Sequence, residues 1–379
     1  MIKSNKKSIY FHYGSPLNSS FMRKKSGLNT PTNIFYIDDG EKEILYVPLF
    51  EYDYFKKYSK HPCIKCINDI SKFNSNYFIS IIEFLKQSNM TVRISSLLPT
   101  WLFMKMLEKR INVEVDEFYF LKSLLYKNSD ELKIIKKNAN LTKICFEYIE
   151  DILASTVYKK KYIYYRDKKL SSKILSNIIK EFFIKRNLKV EFIVVACGKF
   201  SYYPHCQINH FLQPNKPIII DLAVRDIDNG YYVDVSRTYF IIGKPECNKF
   251  INLYEDINNI KKKLEKSIYP GKLISKFYIE AVDLMIEKGI RIAKDNSCFV
   301  GNNLICHHSL GHGIGLDLHQ PPLIDEKTNV IFENNMTIAI EPGAYLKNYG
   351  GVRIEDTYFV NENGVENLTA GGYKFLIKK

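Results

Sequence analysis

Asp221 closes the apolar run PIIID, where an ionised carboxylate on a buried strand is costly unless something compensates it. Four further side chains of metal-ligand type follow in order: Asp234, His312, Glu341 and Glu355. Their contexts read IIIDLAVRD, GYYVDVSRT, GHGIG, AIEPGAY and GGVRIEDT. A fold that brings all five together compensates the buried charge and creates a place for two divalent ions. This requirement constrains the chain more than any other feature in it.

The spacing shows how they could meet. Asp234 lies thirteen residues after Asp221, across a turn containing Asp228, Asn229 and Gly230. A hairpin with that turn sets both carboxylates at neighbouring positions on one sheet. Glu341 and Glu355 repeat the arrangement on a second pair of strands, around a loop expected at 343–351, and His312 supplies the single nitrogen. One imidazole with four carboxylates is a hard, oxygen-rich set, suited to Mn²⁺, Co²⁺, Fe²⁺ or Zn²⁺ rather than to a thiolate zinc site. Two such ions about 3.5–4 Å apart share a water, lower its pKa towards roughly 7 and polarise a carbonyl. That is the chemistry of metal-assisted hydrolysis. Taken singly, each residue has a plainer role open to it. Asp221 could be a turn carboxylate and His312 a loop histidine; Asp234 could pair with Arg237, and Glu355 with Arg353.

The rest of the chain reads as soluble and globular. The apolar share is 46%, and no apolar run approaches the ~20 residues of a membrane helix. The start, MIKSNKKSIYFHYG, has lysines without a following apolar stretch, so no secretory signal is expected. Eight cysteines (Cys63, Cys66, Cys145, Cys197, Cys206, Cys247, Cys298 and Cys306) are spread through a long chain, as expected of reduced thiols in a cytoplasmic protein. The Cys63–Cys66 CxxC has no second pair to complete a zinc site. Net charge is +14, with basic density highest over 159–189, where Tyr162, Tyr164 and Tyr165 interleave with lysines. Such a segment can bind phosphate and stack bases. Lysine is abundant everywhere, however, so a solvated basic face is the expectation and nucleic acid is not expected as a partner.

Residues 1–125 alternate strand and helix signals: strands at 33–37 and 43–47 around Asp38-Asp39-Gly40, a helix at 77–86, a strand at 92–94 and a helix at 99–110. This pattern describes a small α/β domain. Residues 126–379 form the second, α+β domain. It starts with a long amphipathic helix capped by Ser129, carrying Leu132, Ile135, Ala139, Phe146, Ile149 and Leu153 on one face. A helix at 171–185 follows, then strands at 192–196, 217–222, 231–242, 336–340 and 352–360, with helices at 249–267 and 275–295 between them.

Over 131–369 these motifs resemble the pita-bread metallopeptidases, the family of Xaa-Pro aminopeptidases, prolidases and methionine aminopeptidases. The first domain resembles, by layout, the creatinase-type domain that precedes the catalytic one in the proline-specific branch. The resemblance implies a dinuclear metallopeptidase acting on peptides with proline in second place, as an aminopeptidase or as an Xaa-Pro dipeptidase. Mn²⁺ is the first expectation for its ions, and a homodimer the expected assembly. It also implies that Asp221 is bidentate to one ion, that Asp234 and Glu355 bridge, and that His312 and Glu341 are terminal to the other. Glu341 is further implied as proton shuttle. His205 in YYPHC, His308 in HHSLGH and His319 in GLDLHQPP match substrate-side histidines, with His319 steadying the tetrahedral intermediate. Ser236-Arg237-Thr238 and Arg353 resemble the Xaa-Pro type rather than the methionine type.

Three departures stand out. The family usually separates the two aspartates by eleven residues, so the hairpin here is two longer, and a shift of register would turn Asp234 to the wrong face. Gln320 stands where a glutamate is usual, and Cys206 where an aromatic often follows the histidine. The rival reading is a non-catalytic pita-bread protein that binds proteins or nucleic acid, but such relatives typically lose ligands and this chain keeps five.

Overall fold

The computed structural model describes residues 8–70, 76–242, 248–293, 303–371, 373 and 375–378. The chain divides into two units, Met1–Leu124 and Leu125–Lys379.

The first unit is built on a six-stranded sheet in the order Ile64–Cys66, Glu43–Val47, Ile34–Asp38, Ser8–Gly14, Thr91–Ile94 and Val113–Val115. The central strands are antiparallel and both outer sides are parallel, so the sheet is mixed. The expected hairpin forms because Asp39 Oδ1 accepts from the backbone N–H groups of Glu41 (2.9 Å) and Lys42 (2.8 Å). Alternation then fills both faces. Phe11, Phe35 and Val92 meet Ile81, Leu85, Leu102 and Met106 of the helices Tyr77–Gln87 and Thr100–Glu108. On the other face Tyr36 and Leu45 meet Phe21, Phe55 and Phe120. Pro99 caps the helix Thr100–Glu108 from outside rather than starting it.

In the second unit the long helix is Ser129–Ser155, and its cap is Asn128, not Ser129. Asn128 Oδ1 accepts from Glu131 N (3.0 Å), while Glu131 Oε2 accepts from Asn128 N (2.8 Å), a reciprocal pair that fixes the start. Ile135, Ala139, Phe146, Ile149 and Leu153 form its buried face. Helix Ser172–Ile184 is capped by Ser171. A four-stranded sheet follows: Leu188–Cys197, Pro217–Asp226, Tyr232–Ile242 and Leu376–Lys378. A five-stranded sheet orders Gln320–Leu323, Gly311–Gly313, Thr337–Ile340, Asp356–Asn361 and Gly364–Asn367. A further four strands are Ile290–Ile292, Leu304–Cys306, Gly343–Leu346 and Gly350–Arg353.

Helices Asn248–Ser267 and Ile274–Glu287 close one side of these sheets, burying Ile257, Leu264, Phe277 and Met285 against Phe332, Ile338, Ile340 and Val352. Each such side chain contributes roughly 1.5–3 kcal/mol on burial. The second of these helices ends well short of residue 295. Gly289 turns the chain at φ 72°, and Ile290 and Ile292 belong to a strand; the end of the expected helix lies outside the described residues. The expected strand 352–360 is broken at Ile354 and Glu355, and the expected loop 343–351 is mostly the strands Gly343–Leu346 and Gly350–Arg353. Among the described residues no helix is long and apolar enough to cross a membrane.

Candidate metal centre

Two hairpins build the site. In the first, Pro217–Asp226 and Tyr232–Ile242 pair without a bulge from Pro217↔Phe240 to Arg225↔Tyr232. Asp221 sits opposite Ser236 and Asp234 opposite Ala223, so the two carboxylates are diagonal neighbours on one face. The two extra residues stay in the turn. There Asp226 Oδ1 accepts from the N–H groups of Asp228 (3.0 Å) and Asn229 (2.7 Å), and Gly230 takes φ 80°. Register is therefore kept.

In the second hairpin, Ile340 pairs with Asp356 and Gly343 with Arg353. The register is the same on both sides of the break, which sets Glu341 across from Glu355; Ile354 N still donates to Pro342 O at 3.3 Å. The hairpins meet at an antiparallel bridge between Ser236 and Glu355, with Glu355 N donating to Ser236 O at 3.0 Å. His312 comes from the short strand Gly311–Gly313, flanked by Thr337–Ile340 and Gln320–Leu323. The flanking glycines are required there: a Cβ on Gly311 would lie 2.1 Å from Ala339 O, and one on Gly313 2.2 Å from Pro321 O. The carbonyl of Gly313 accepts from His312 Nδ1 at 3.0 Å, which leaves Nε2 free to ligate.

The five candidate ligands, together with His205, His308, His319 and Arg353, line one cavity of about 480 Å³. Three groups have ligand atoms within 4.8 Å of one another: Asp221, Asp234 and Glu355; His312, Glu341 and Glu355; Asp234, His312 and His319. His312 Nε2 lies 3.9 Å from Asp234 Oδ2 and 4.0 Å from Glu355 Oε1. Asp221, Asp234, His312 and Glu355 are buried; Glu341 is half-buried at the cavity wall, and His205 and His319 are exposed. His308 is the histidine beside Glu341, with Nδ1 3.4 Å from Oε2, while His307 stacks on Tyr345 and reaches Tyr202 O at 3.0 Å. His205 lies edge-on to Phe192.

The ion pairs differ from those that sequence proximity suggests. Arg353 Nη2 donates to Asp221 Oδ2 at 2.6 Å rather than to Glu355. Its Nη1 donates to Tyr345 OH (2.9 Å) and its Nε to Ser236 Oγ (3.2 Å). Arg237 pairs with Asp356 at 2.5 Å rather than with Asp234. Tyr345 and Ser309, whose Oγ lies 3.3 Å from Glu341 Oε1, were not picked out from the sequence. Tyr345 stands four residues after Glu341 in the quoted motif, which was the available signal. Gln320 is buried and does not line the cavity.

Four carboxylates against one guanidinium leave the cluster short of positive charge. Burial pushes the Asp234 carboxyl well above its usual range, with Asp221 and Glu341 adding to the effect. Burial does the same to Glu355, helped by Asp234 and Glu341. Glu341 is pushed up to about 8 by burial, against the pull of Arg353. Burial also lowers His312 to about 4, so its imidazole is neutral and able to ligate. Two divalent cations bring the positive charge this set lacks, and hard oxygen donors with one imidazole suit such ions. The residues fit a dinuclear centre.

Comparison with known proteins gives the family and the fold. An Xaa-Pro dipeptidase of Pyrococcus furiosus is 29% identical over 361 residues, covering 89% of this chain and 91% of that protein. Its counterpart in Pyrococcus horikoshii is 29% identical over 355 residues, covering 91% and 88%. Among solved structures, prolidase from Pyrococcus furiosus superposes with a TM-score of 0.74 at 24% identity, covering 96% of each chain. An Xaa-Pro dipeptidase from Bacillus anthracis superposes with a TM-score of 0.78 at 20% identity, covering 99% of this chain and 95% of that one. The fold is that of these two-domain enzymes, with the pita-bread architecture in the second unit. The sequence pattern of Metallopeptidase family M24 matches residues 133–362, the stretch holding both hairpins and His312, and on this ground the chain belongs to that family.

Proposed function

We propose that this metallopeptidase hydrolyses the bond before proline at the N-terminus of peptides, with two divalent ions held by Asp221, Asp234, His312, Glu341 and Glu355. The convergence of those five side chains in one cavity carries the reading. Asp234, His312 and Glu355 each belong to two of the three ligand groups, and of these only the two carboxylates, with two oxygens each, are suited to being shared between ions; Asp221 and Glu341 belong to one group each. When bound, the ions supply Lewis acidity towards a carbonyl and acidify water.

The chain's own groups do the rest. Glu341, at the cavity wall, takes a proton from the attacking water as its carboxylate and returns it to the leaving nitrogen. His308 and Ser309 orient it. His319 and His205 stand exposed in the cavity to donate to the substrate carbonyl oxygen as negative charge develops. Phe192, Pro204 and Leu318 give the cavity apolar wall for a prolyl ring.

Substrate length follows from Arg353. It is the one guanidinium among the described lining residues, and its donors go to Asp221, Tyr345, Ser236 and Pro204 O. A dipeptide's terminal carboxylate would compete for donors already engaged, whereas an amide continuing past proline makes no such demand. The reading is therefore an Xaa-Pro peptidase in which Arg353 favours peptides of three or more residues over the free dipeptides that the names of its relatives describe. Mn²⁺ as the ion is supported by the oxygen-rich donor set, and a cytoplasmic setting by the six described cysteines, all free. A homodimer is supported by the family resemblance alone.

The test is metal content followed by a peptide panel with added Mn²⁺. Two ions per chain, with cleavage of Ala-Pro-Ala and not of Ala-Ala-Ala, is the expected result. A protein that takes up no divalent ion, or that cleaves both peptides alike, overturns the reading.

A further inference from the structure

The bridge that seats Glu355 is held from behind. Successive residues of a strand face opposite sides, and here Ser236 and Glu355 meet the metal-centre face while their neighbours Arg237 and Asp356 meet each other on the other face. Arg237 Nη1 donates to both carbonyls of the bridge, Ser236 O (2.9 Å) and Glu355 O (2.5 Å). Its Nη2 donates to Asp356 Oδ1 (2.5 Å) and Thr369 O (3.1 Å). Thr369 Oγ1 donates to the same Asp356 oxygen at 2.7 Å. The other Asp356 oxygen takes Lys261, which reaches in from the helix Asn248–Ser267 and also touches Glu265 at 3.1 Å. Arg237, Asp356, Lys261 and Thr369 are all buried. A pair this deep is expensive to desolvate and is weak evidence for stability as such. What it fixes is geometry: one guanidinium grips two strands at the bridge, and one ammonium holds that guanidinium's partner.

We propose that the Arg237–Asp356–Lys261 network is a positioning device for Glu355, so that the affinity of the dinuclear site for its metal ions depends on a helix lysine on the far side of the sheet. The proposal rests on the dinuclear reading of the site. None of the three side chains touches an ion in it. Losing Lys261 frees one oxygen of Asp356, relaxes its hold on Arg237, and lets the Ser236–Glu355 bridge shift by the few tenths of an ångström to which a bridging carboxylate is sensitive.

The test is calorimetric titration of the metal-free full chain with Mn²⁺, which reads metal binding without activity. Lys261→Met is expected to bind Mn²⁺ about 10–100-fold more weakly than wild type, the range typical of groups that orient ligands, with the loss falling on both ions because Glu355 belongs to both ligand groups. Lys261→Arg restores the charge and should recover most of that affinity. Lys262→Met, on the same helix but without a contact to Asp356, should bind as wild type. If Lys261→Met does not fold, Thr369→Val decides the matter, since it removes a donor to Asp356, together with the acceptor of Thr357 N, at nearly constant volume and should also weaken Mn²⁺ binding. Wild-type affinity for both ions in a folded Lys261→Met, or failing that in Thr369→Val, overturns the proposal. A wild-type protein that binds no divalent ion overturns the dinuclear reading itself, which is a different result.

Discussion

Arg353 Nη2 and Asp221 Oδ2 lie 2.6 Å apart, and this buried pair ties the second hairpin to the first through side chains, as the Ser236–Glu355 bridge does through the backbone. Burial works against the charge on Arg353, yet Asp221, Tyr345 and Glu341 together hold its pKa well above the usual value. The guanidinium is thus the chain's own partial answer to four clustered carboxylates.

Arg353→Met removes that answer. Breaking a buried pair while leaving its partner in place costs about 3–5 kcal/mol. The metal-free variant is expected to melt well below wild type, and the gap should narrow once Mn²⁺ is added, because the ions then supply the missing charge. Scanning calorimetry with and without Mn²⁺ reads the difference. An equal drop in both states would show that Arg353 acts by packing rather than by charge.

Glu341→Gln keeps the shape and one oxygen donor of the side chain but cannot carry a proton. Turnover of Ala-Pro-Ala should fall by about 10²–10⁴-fold, the usual contribution of a positioned acid–base group. Metal content should stay near two ions per chain, since Asp221, Asp234, His312 and Glu355 remain. Activity within a few-fold of wild type would assign the proton transfer to another group.

Much of this cluster was legible because its candidate ligands sit in rigid local contexts: glycines that only a close backbone approach explains at His312, and carboxylates embedded in apolar strands at Asp221 and Asp234. Contacts across the sheets were not legible. Arg353 stands two residues from Glu355 and Arg237 three from Asp234, so proximity suggested those pairs. The fold instead sends Arg353 to Asp221, 132 residues away, and Arg237 to Asp356, 119 away. The break at Glu355 was hidden because apolar alternation continues through Val352, Ile354 and Tyr358 on both sides of it. The overlong helix had a similar cause: Ile290 and Ile292 extend a helical apolar pattern while belonging to a strand. At the cap, Asn128 and Ser129 are both good cap residues, and only the Glu131 carboxylate folding back on Asn128 N separates them.

Peptide length is the sharpest functional discriminator. With Arg353 engaged by four partners, Ala-Pro-Ala and Ala-Pro-amide should be cleaved with kcat/KM at least about tenfold above Ala-Pro, a difference of about 1.4 kcal/mol. The same order should appear in calorimetric binding of these peptides to Mn²⁺-loaded Glu341→Gln. Preference for the free dipeptide would show that some other group receives its carboxylate, and the substrate class would then be that of a dipeptidase.

The first unit carries a pH dependence of its own through His12. The ring is buried against Phe21 and Phe120, its Nε2 lies 3.2 Å from Ser19 Oγ, and Ser19 caps the helix Ser20–Ser26. Burial lowers His12 to about 4, with Glu117 pulling weakly the other way. The folded state therefore favours the neutral ring, while the unfolded chain takes up a proton near pH 6.5. The stabilisation is fully present above about 6.5 and is lost progressively as pH falls towards about 4, amounting to roughly 3 kcal/mol across that window. Urea unfolding of the full chain, followed by the fluorescence of Trp101 in the same unit, should show this loss in wild type. His12→Phe should flatten the curve between pH 6.5 and 4 whatever its stability at neutral pH. A variant that keeps the wild-type slope would place the titrating group elsewhere in the unit.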